Sequence, residues 1–274
     1  MSKEKYTYVT LLGSNNYLKG TIALAKALRI QNSLYPLTVL VTDEVDQSSI
    51  DALKNLDIEY IKIDSIKVSD KIKNKNAAMG YSNWSKTFDK LRVFGLTQFK
   101  KIVFLDSDVL VKGNIDHLFE LKNFSAVIAG KSYPGNSDWD TPNGGVMVLT
   151  PKKGEDKKMI DLIDKASDLS ALGDQNVIQL KYPDWYKKSG AVLNEKYNVL
   201  APYEPLYLSK NIVNNPVVLH FVGKIKPWNM TNQDKLMYIL KLIGRQLKNG
   251  RSFRGINRSI HDFNYYVKLC NEEV

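Results

Sequence analysis

β-prone runs and helix-like segments alternate through residues 6–63, and this alternation limits the fold more than any other feature of the sequence. The β-prone runs are residues 6–12, 37–42 and 59–63, and residues 17–30 and 48–56 between them have apolar side chains at helical spacing. Strands that alternate with helices form parallel sheets with right-handed crossovers. We therefore predict a doubly wound α/β sheet, although Gly-x-Gly-x-x-Gly is absent after the first strand.

Two carboxylates stand within the apolar run KIVFLDSDVLV, residues 101–111. The run predicts a buried strand that ends at Asp106-Ser107-Asp108, and a buried strand needs a compensating partner for two acids. Because residues i and i+2 of an extended chain lie on one side, Asp106 and Asp108 can share a divalent cation that also binds a diphosphate. A metal-dependent phosphatase with Asp106 as nucleophile is the alternative, but that nucleophile normally follows the first strand, and here three predicted strands precede it.

A histidine, His220, lies in the apolar run 217–222. A lone histidine in such a strand is more often a packed core residue than a ligand. The residues that follow it favour chemistry, because Gly223 permits close approach of a ligand and Lys226 supplies an ammonium group. An imidazole with this neighbourhood suits a site that holds a cation together with a phosphate.

The rest of the chain continues the α/β pattern. The polar residues 67–85 predict a mobile loop, and a helix face beginning at Trp84 carries Lys90. An amphipathic stripe at residues 236–247 predicts a helix that packs on the protein rather than anchoring it in a membrane. Further strands are expected at residues 126–130 and 146–150, the latter after Asn143-Gly144-Gly145, and further helices at 159–166 and 173–180.

Composition excludes several classes of protein. Of the 274 residues 43% are hydrophobic and 25% are charged, which is ordinary for a globular protein and argues against disorder. No signal peptide and no membrane span is expected, and the single cysteine, Cys270, fits a reducing, cytoplasmic location. The net charge of +10 leaves open a protein that binds nucleic acid or another anionic polymer, but the lysines are spread along the chain without a nucleic-acid motif. We expect no nucleic-acid partner.

Taken together, these motifs resemble glycogenin and the wider glycosyltransferase family 8, whose members have the GT-A fold and retain the anomeric configuration. The matching pieces occur in the family's order over residues 6–228. They are the opening strand, Tyr17-x-Lys19-Gly20, Asp89-Lys90-Leu91, Phe104-x-Asp106-x-Asp108, Asn143-x-Gly145-Val146, Gly173-Asp174-Gln175 and Val218-x-His220-Phe221-x-Gly223-x-x-Lys226-Pro227-Trp228-Asn229. The resemblance implies one domain over residues 1–274, with a nucleotide-sugar-binding core at about 1–229 and a C-terminal helical extension at 230–274. It also implies a Rossmann-like, mixed sheet.

The resemblance further implies a role for each matched residue. Asp106, Asp108 and His220 would hold Mn²⁺, with Mg²⁺ as the alternative. Asp174 and Gln175 would face the reacting carbon of the sugar, with Lys90 as a third catalytic residue that also clamps the donor. The UDP-sugar donor would contact Leu11, Leu12, Gly13, Tyr17, Ser107, Asn143, Gly144, Gly145, Gly223 and Lys226, with Tyr17 stacked on uracil.

The expected reaction is transfer of glucose from UDP-glucose to a protein tyrosine, in this chain itself or in another, or to a short glucan. Tyr203 and Tyr207 are the candidate acceptors, in the segment where the family's acceptor tyrosine falls. The alternative is a UDP-galactose or other UDP-hexose transferase that acts on an external glycan. Two departures, Ala171 for an acid and Gly144 for serine, lie on the sugar or acceptor side. The resemblance also implies a homodimer and a glycogenin without the long C-terminal tail.

Overall fold

A six-stranded mixed sheet forms the centre of the structure, a computed structural model that describes residues 5–80, 82–133, 135–165, 173–250, 253 and 255–272. The strands are β1 Tyr6–Leu12, β2 Leu37–Val41, β3 Glu59–Lys62, β4 Lys101–Leu105, β5 Val109–Val111, β6 Ser125–Val127, β7 Asn143–Leu149, β8 Val199–Leu200 and β9 Val218–His220. The helices are α1 Leu18–Ile30, α2 Gln47–Asn55, α3 Asp70–Ala78, α4 Glu155–Lys165, α5 Asp174–Lys181, α6 Glu204–Ser209, α7 Asn232–Gly250 and α8 Ile256–Asn271. A 3-10 helical segment also covers Ser82–Gly95.

The central sheet has the strand order β3-β2-β1-β4-β7-β6. Strands β3, β2, β1 and β4 are parallel, whereas β7 runs antiparallel to both β4 and β6. The α/β fold and the parallel pairing of the opening strands are thus confirmed, and the antiparallel β7 makes the sheet mixed as predicted. Ligands of open α/β sheets bind at the carboxyl ends of the parallel strands, and Asp106 directly follows that end of β4.

Alternate residues of each central strand enter two different cores, one on each face of the sheet. In β4, Val103 and Leu105 contact the core that includes α1, whereas Ile102 and Phe104 contact the core formed by residues 82–95, α4 and α5. This period of two is what an extended strand with both faces covered requires. Burial of apolar side chains on both faces therefore fixes the register of the strands that carry the site.

The run 101–111 changes sheets at its two carboxylates. After Leu105 the chain leaves the central sheet, and β5 joins a smaller sheet of order β5-β9-β8. In this sheet β5 and β9 are antiparallel, with Val109 opposite His220. Backbone pairing therefore carries His220 to the acidic pair from a distant part of the sequence.

The prediction of a mobile loop at residues 67–85 is wrong. Residues 70–78 form α3, and Ile72 and Asn76, one turn apart, are 1% and 0% exposed where the helix packs against residues 82–95. A helix that buries so few side chains has almost no apolar period in its sequence. The lysine and asparagine side chains on its outer face give this helix the polar composition of a loop.

The predicted helix over residues 236–247 is present as α7 and packs against α6 and α8, but most of its leucine stripe does not form the packed face. Leu236, Leu240 and Leu247 are 57%, 49% and 46% exposed, whereas Leu242 and Gln246 are buried. The helix thus packs on the protein with a neighbouring face. Within the described residues, no helix combines the length and the apolar composition needed to cross a bilayer.

Candidate active site

Three side chains with potential metal-ligating atoms, those of Asp106, Asp108 and His220, meet where the two sheets join. The Nε2 atom of His220 lies 3.2 Å from Oδ1 of Asp108 and 3.7 Å from Oδ2 of Asp106. One ligand atom from each of the three residues lies within 4.8 Å of the other two. Two carboxylate oxygens and an imidazole nitrogen are a donor set that suits a divalent transition metal, so the residues fit the predicted cation.

A buried lysine, Lys90, and a partly buried one, Lys226, pair with the outer oxygens of the same carboxylates. Lys90 Nζ lies 2.9 Å from Oδ1 of Asp106, and Lys226 Nζ donates to Oδ2 of Asp108 at 2.5 Å. Each aspartate thus gives one oxygen to a lysine and turns the other toward His220. The ammonium groups flank the cluster, so an anionic ligand at the cluster would find positive charge on both sides.

The electrostatic surroundings of the two aspartates differ. Burial raises the pKa of Asp106, and Lys90 offsets only part of that effect. Burial would also raise the pKa of Asp108, but His220 and Lys226 outweigh it and hold that pKa well below its ordinary value. Asp108 is therefore the more firmly ionised of the two ligands.

Lys90 joins the acidic pair to α5. Its Nζ lies 3.0 Å from Oδ2 of Asp174, the first residue of α5, and donates to the carbonyl oxygen of Gly144 at 3.2 Å. Burial alone would lower the pKa of Lys90, but Asp106 and Asp174 outweigh it and raise that pKa. The structure thus brings together predicted site residues from four parts of the chain: the segment 82–95, the end of β4, β7 and α5. Gln175 follows on α5, half-buried, with its side chain on the same side of Gly144.

Gly144 and Gly145 are glycines because side chains of the cluster occupy the space beside them. A Cβ on Gly144 would lie 2.6 Å from Asp174 Oδ2 and 2.9 Å from Lys90 Nζ, and one on Gly145 would lie 2.5 Å from the ring of His220. The Gly145 carbonyl also accepts from the Asp106 backbone N–H at 3.0 Å. Their role here is close packing, and Gly145 needs no unusual backbone angle.

Several other residues that were predicted to contact the UDP-sugar lie at the same edge of the sheet. Leu11, Leu12 and Gly13 close β1, the parallel neighbour of β4, and the carbonyl of Gly13 accepts from Thr42 Oγ1 at 3.1 Å. The half-buried ring of Tyr17 lies 5.9 Å below Lys226 Nζ and meets Trp228 edge-on.

Two more of these residues belong to the backbone around the cluster. The Ser107 carbonyl faces Gly20 of α1 closely enough to exclude a side chain there. Gly223 has φ of +138°, a backbone angle open to glycine. It directly precedes the turn that returns Lys226 to Asp108.

The candidate acceptors differ in access. Tyr207 is 1% exposed and its hydroxyl donates to Glu195. Tyr203 is partly exposed, and its ring stacks against the Arg245 guanidinium at 4.7 Å and meets Tyr133 edge-on. Of the departures at the acceptor side, Ala171 lies outside the described residues.

Sequence reasoning missed two polar residues that hold the cluster. Asn198, 1% exposed, contacts His220 Nδ1 through Oδ1 at 3.0 Å, and Thr87 Oγ1 accepts from the Asp174 backbone N–H at 3.1 Å. Asn198 precedes β8, whose Leu200 pairs with His220. An isolated asparagine before a two-residue strand carries no signal in one sequence, since its importance depends on the pairing of β8 with β9.

Comparison with known proteins places these features in a family. The model of glycosyl transferase family 8 matches residues 8–232. The chain is 28% identical to Uncharacterized protein R707 of Acanthamoeba polyphaga mimivirus, over 84% of this chain and 85% of that protein. It is 30% identical to Glycogenin-1 of Homo sapiens over 83% of this chain, and it spans 63% of that protein's length.

Solved structures share the fold. The galactosyltransferase LgtC, in complex with donor and acceptor sugar analogs, aligns with a TM-score of 0.61 at 18% identity, over 87% of this chain and 95% of that one. The apo form of the glycosyltransferase GlyE from Streptococcus pneumoniae TIGR4 aligns with a TM-score of 0.59 at 20% identity, over 92% of this chain and 65% of that one. The mixed sheet and the C-terminal helices are therefore those of the GT-A glycosyltransferases, as predicted. The family match covers most of the chain and includes Asp106, Asp108 and His220, and it shows that this protein belongs to glycosyltransferase family 8 and is a glycogenin-like glycosyltransferase.

Proposed function

We propose that the protein transfers glucose from UDP-glucose, with retention of configuration, and that Mn²⁺ bound by Asp106, Asp108 and His220 is required. The observation that carries this proposal is the convergence of three potential ligand atoms between the ammonium groups of Lys90 and Lys226. A divalent cation at that point would act as a Lewis acid on the departing diphosphate. The family assignment favours a transferase over the phosphatase alternative, since the match spans the whole cluster.

Lys226 supplies the positive charge that a departing UDP needs on the side away from the sugar. Burial would lower its pKa, but Asp108 outweighs it and raises that pKa, so the ammonium form persists at neutral pH. In this proposal the lysine releases Asp108 to the cation and pairs with the diphosphate instead. In this proposal Tyr17, whose ring lies beneath the same ammonium group, stacks on the uracil ring.

The sugar would lie toward Gly144, Gly145 and α5. Lys90 holds Asp174 within reach of this end, and burial leaves the carboxylate little contact with water. As a nucleophile it would attack the anomeric carbon, and UDP would leave with the electron pair of the glycosidic bond. In a same-face mechanism it would instead stabilise positive charge on the sugar ring.

The acceptor in the leading proposal is a tyrosine hydroxyl or a short glucan. Tyr203 suits self-glucosylation better than Tyr207, because the Tyr207 hydroxyl is buried against Glu195. A cavity of about 390 Å³ favours the second candidate, a UDP-hexose transferase acting on an external glycan. Its lining mixes Ile128 and Leu193 with Ser132 and Asn194, and it begins at the end of β6 that faces the same edge as Asp106. Five apolar residues and four polar ones, with Lys131 and Glu195 among the latter, suit the ring and the hydroxyl groups of a sugar.

Intact-mass measurement after incubation with UDP-glucose and Mn²⁺ tests donor, metal and acceptor together. Self-glucosylation adds mass in steps of one hexose, whereas an external acceptor leaves the protein mass unchanged while UDP is released in the presence of glycan. Asp106→Asn should abolish both signals and keep the fold. Asp51→Asn, on the surface pair with Lys54, is the matched control and should retain activity. Full activity of Asp106→Asn would refute the metal assignment. The absence of both hexose addition and UDP release in the wild type would refute the function.

A further inference from the structure

We propose that Asn198 is a positioning residue that fixes the tautomer and the orientation of His220, so that Nε2 faces Asp106 and Asp108 with its lone pair. The inference rests on the proposed metal site for its purpose, but its structural content stands on hydrogen bonds alone. Asn198 and His220 are 1% and 5% exposed, so water does not compete for these bonds.

One backbone N–H group determines which atom donates and which accepts in a series of hydrogen bonds that ends at His220. The backbone N–H of Gly145, which can only donate, donates to Oδ1 of Asn143 at 2.9 Å. The atom 2.8 Å from that oxygen on Asn198 must therefore be the amide nitrogen, Nδ2, which donates to it. The other amide atom of Asn198 is then Oδ1, an acceptor.

These hydrogen bonds determine which nitrogen of the His220 ring carries a hydrogen. Oδ1 of Asn198 lies 3.0 Å from Nδ1, so Nδ1 must carry the hydrogen and donate it. In the neutral imidazole the lone pair is then on Nε2, which faces the inner oxygens of Asp106 and Asp108. Three acceptors that point at one another repel unless a cation lies among them. Asn198 thus makes the cluster a cation site.

Two variants separate positioning from packing. Asn198→Asp keeps an oxygen that can accept from Nδ1, whereas Asn198→Leu has a similar size and no acceptor. Loss of such a partner costs a metal-binding histidine about 10- to 100-fold in affinity. We expect that loss of Mn²⁺ affinity in Asn198→Leu, measured by titration calorimetry. Asn198→Asp should rescue it in part, because its second oxygen cannot donate to Asn143 Oδ1. Asn76→Leu, a buried asparagine of α3, should lose stability and keep Mn²⁺ affinity.

Nitrogen-15 NMR of the metal-free protein tests the tautomer directly. His220 should show hydrogen on Nδ1 in the wild type, and that preference should weaken in Asn198→Leu. An Nε2–H tautomer in the wild type, or wild-type Mn²⁺ affinity in a folded Asn198→Leu variant, would overturn the inference. If the wild type bound no Mn²⁺ while Nδ1 carried the hydrogen, the proposed function would fail and the positioning role would stand.

A separate observation concerns the outer face of α7, which we define as Leu236, Leu240, Ile243 and Leu247 with the adjacent row Met237, Lys241, Gly244 and Lys248. Both rows follow one side of the helix at spacings of three and four residues, and both lysines are exposed. We propose that this outer face docks on an anionic lipid surface. Leucine beside lysine is the pattern of a helix lying in a membrane interface.

Charge favours lipid over a second copy of the chain. Asp234 lies one turn before Met237 and attracts Lys241, so with Lys248 this side of the helix keeps a net positive charge. Pairing two outer faces would therefore bring like net charges together. Asp234 also accepts hydrogen bonds from Thr231 at the start of the helix. An anionic surface would attract both lysines while the leucines enter it.

Sedimentation with vesicles of phosphatidylcholine, with and without phosphatidylserine, tests this docking. We expect binding only when phosphatidylserine is present, and a loss of about 30-fold in Lys241→Gln/Lys248→Gln. Leu236→Gln/Leu240→Gln should lose at least about tenfold. Leu34→Gln, at an 84% exposed leucine elsewhere, should bind as the wild type. Equal binding to both vesicles, no binding, or a dimer that dissociates in the leucine variant would each overturn the proposal.

Discussion

Gly145→Ala should remove His220 from its place without changing any ligand atom. The added Cβ would lie 2.5 Å from both Cε1 and Nδ1 of the ring and 2.9 Å from Oδ1 of Asn143. Gly145 has a backbone angle that alanine also adopts, so the clash with the ring is the dominant effect. Relief requires the imidazole to move, because Asp106 and the strand β4 hold Gly145 from the other side.

The size of the effect follows from these distances. Carbon atoms in contact are about 3.5–4.0 Å apart, so the ring must move by about 1 Å. Metal–ligand distances tolerate about 0.2 Å, and the same movement weakens the bond from Nδ1 to Asn198. We therefore expect Mn²⁺ affinity to fall by about 100-fold, which is the upper end for a disturbed ligand. Overpacking should also lower the free energy of unfolding by about 1–3 kcal/mol.

Titration calorimetry with Mn²⁺ and urea unfolding of the metal-free protein measure the two effects separately. Gly244→Ala is the matched control, since no atom lies within 4 Å of a Cβ there and the residue is in α7. The control should keep Mn²⁺ affinity and gain about 0.5–1 kcal/mol of stability. If Gly145→Ala bound Mn²⁺ as tightly as the wild type, His220 would not be a ligand in the position described.

Three further variants test the surroundings of the cluster. Gly20→Ala should lower the free energy of unfolding, measured in urea, by about 1–3 kcal/mol, because its Cβ would lie 2.3 Å from the carbonyl oxygen of Ser107. An unchanged urea midpoint would contradict this packing. Lys90→Met should cost about 3–5 kcal/mol in the same assay at neutral pH, since it leaves the buried Asp174 and the partly buried Asp106 without their shared cation. A loss below about 1 kcal/mol would show that water replaces the ammonium group. Burial, with Asp262 adding to it, raises the pKa of Glu204 from 4.5 to about 7, so its folded state binds a proton more tightly than its unfolded state. Stability from this group is complete below pH 4.5 and is lost as the pH rises through about 7, and thermal unfolding of Glu204→Gln should lack that component.

Much of the fold could be predicted because both faces of the central sheet are covered. Strands buried on both sides are near-continuous apolar runs, and the helices between them must cross over, so 6–63 and 101–105 were assigned correctly from residue pattern. Helices that bury few side chains were predicted less completely. In α3 two buried side chains stabilise a helix whose sequence is otherwise polar, and in α7 the apolar stripe does not reveal which face meets the protein.

The residues of the candidate site were predictable where a motif supplied them, but their partners were not. Sequence led to Asp106, Asp108 and His220, and the structure brings all three together. The double pairing of Lys90 depends on the position of α5 relative to β4, which no local pattern encodes. Asn198 acts through the pairing of β8 with β9, so it could be found only after the strands were placed.

The change of sheet at Asp106-Ser107-Asp108 has a consequence for cooperativity. Because Asp106 follows a strand of the central sheet and His220 closes a strand of the smaller one, the cluster is complete only when both sheets have formed and docked. An unfolded or half-folded chain has separate ligands with no common site. A bound cation would therefore stabilise the junction between the sheets, by about 2.7 kcal/mol at 100 times its dissociation constant, and would make the two sheets unfold as one unit.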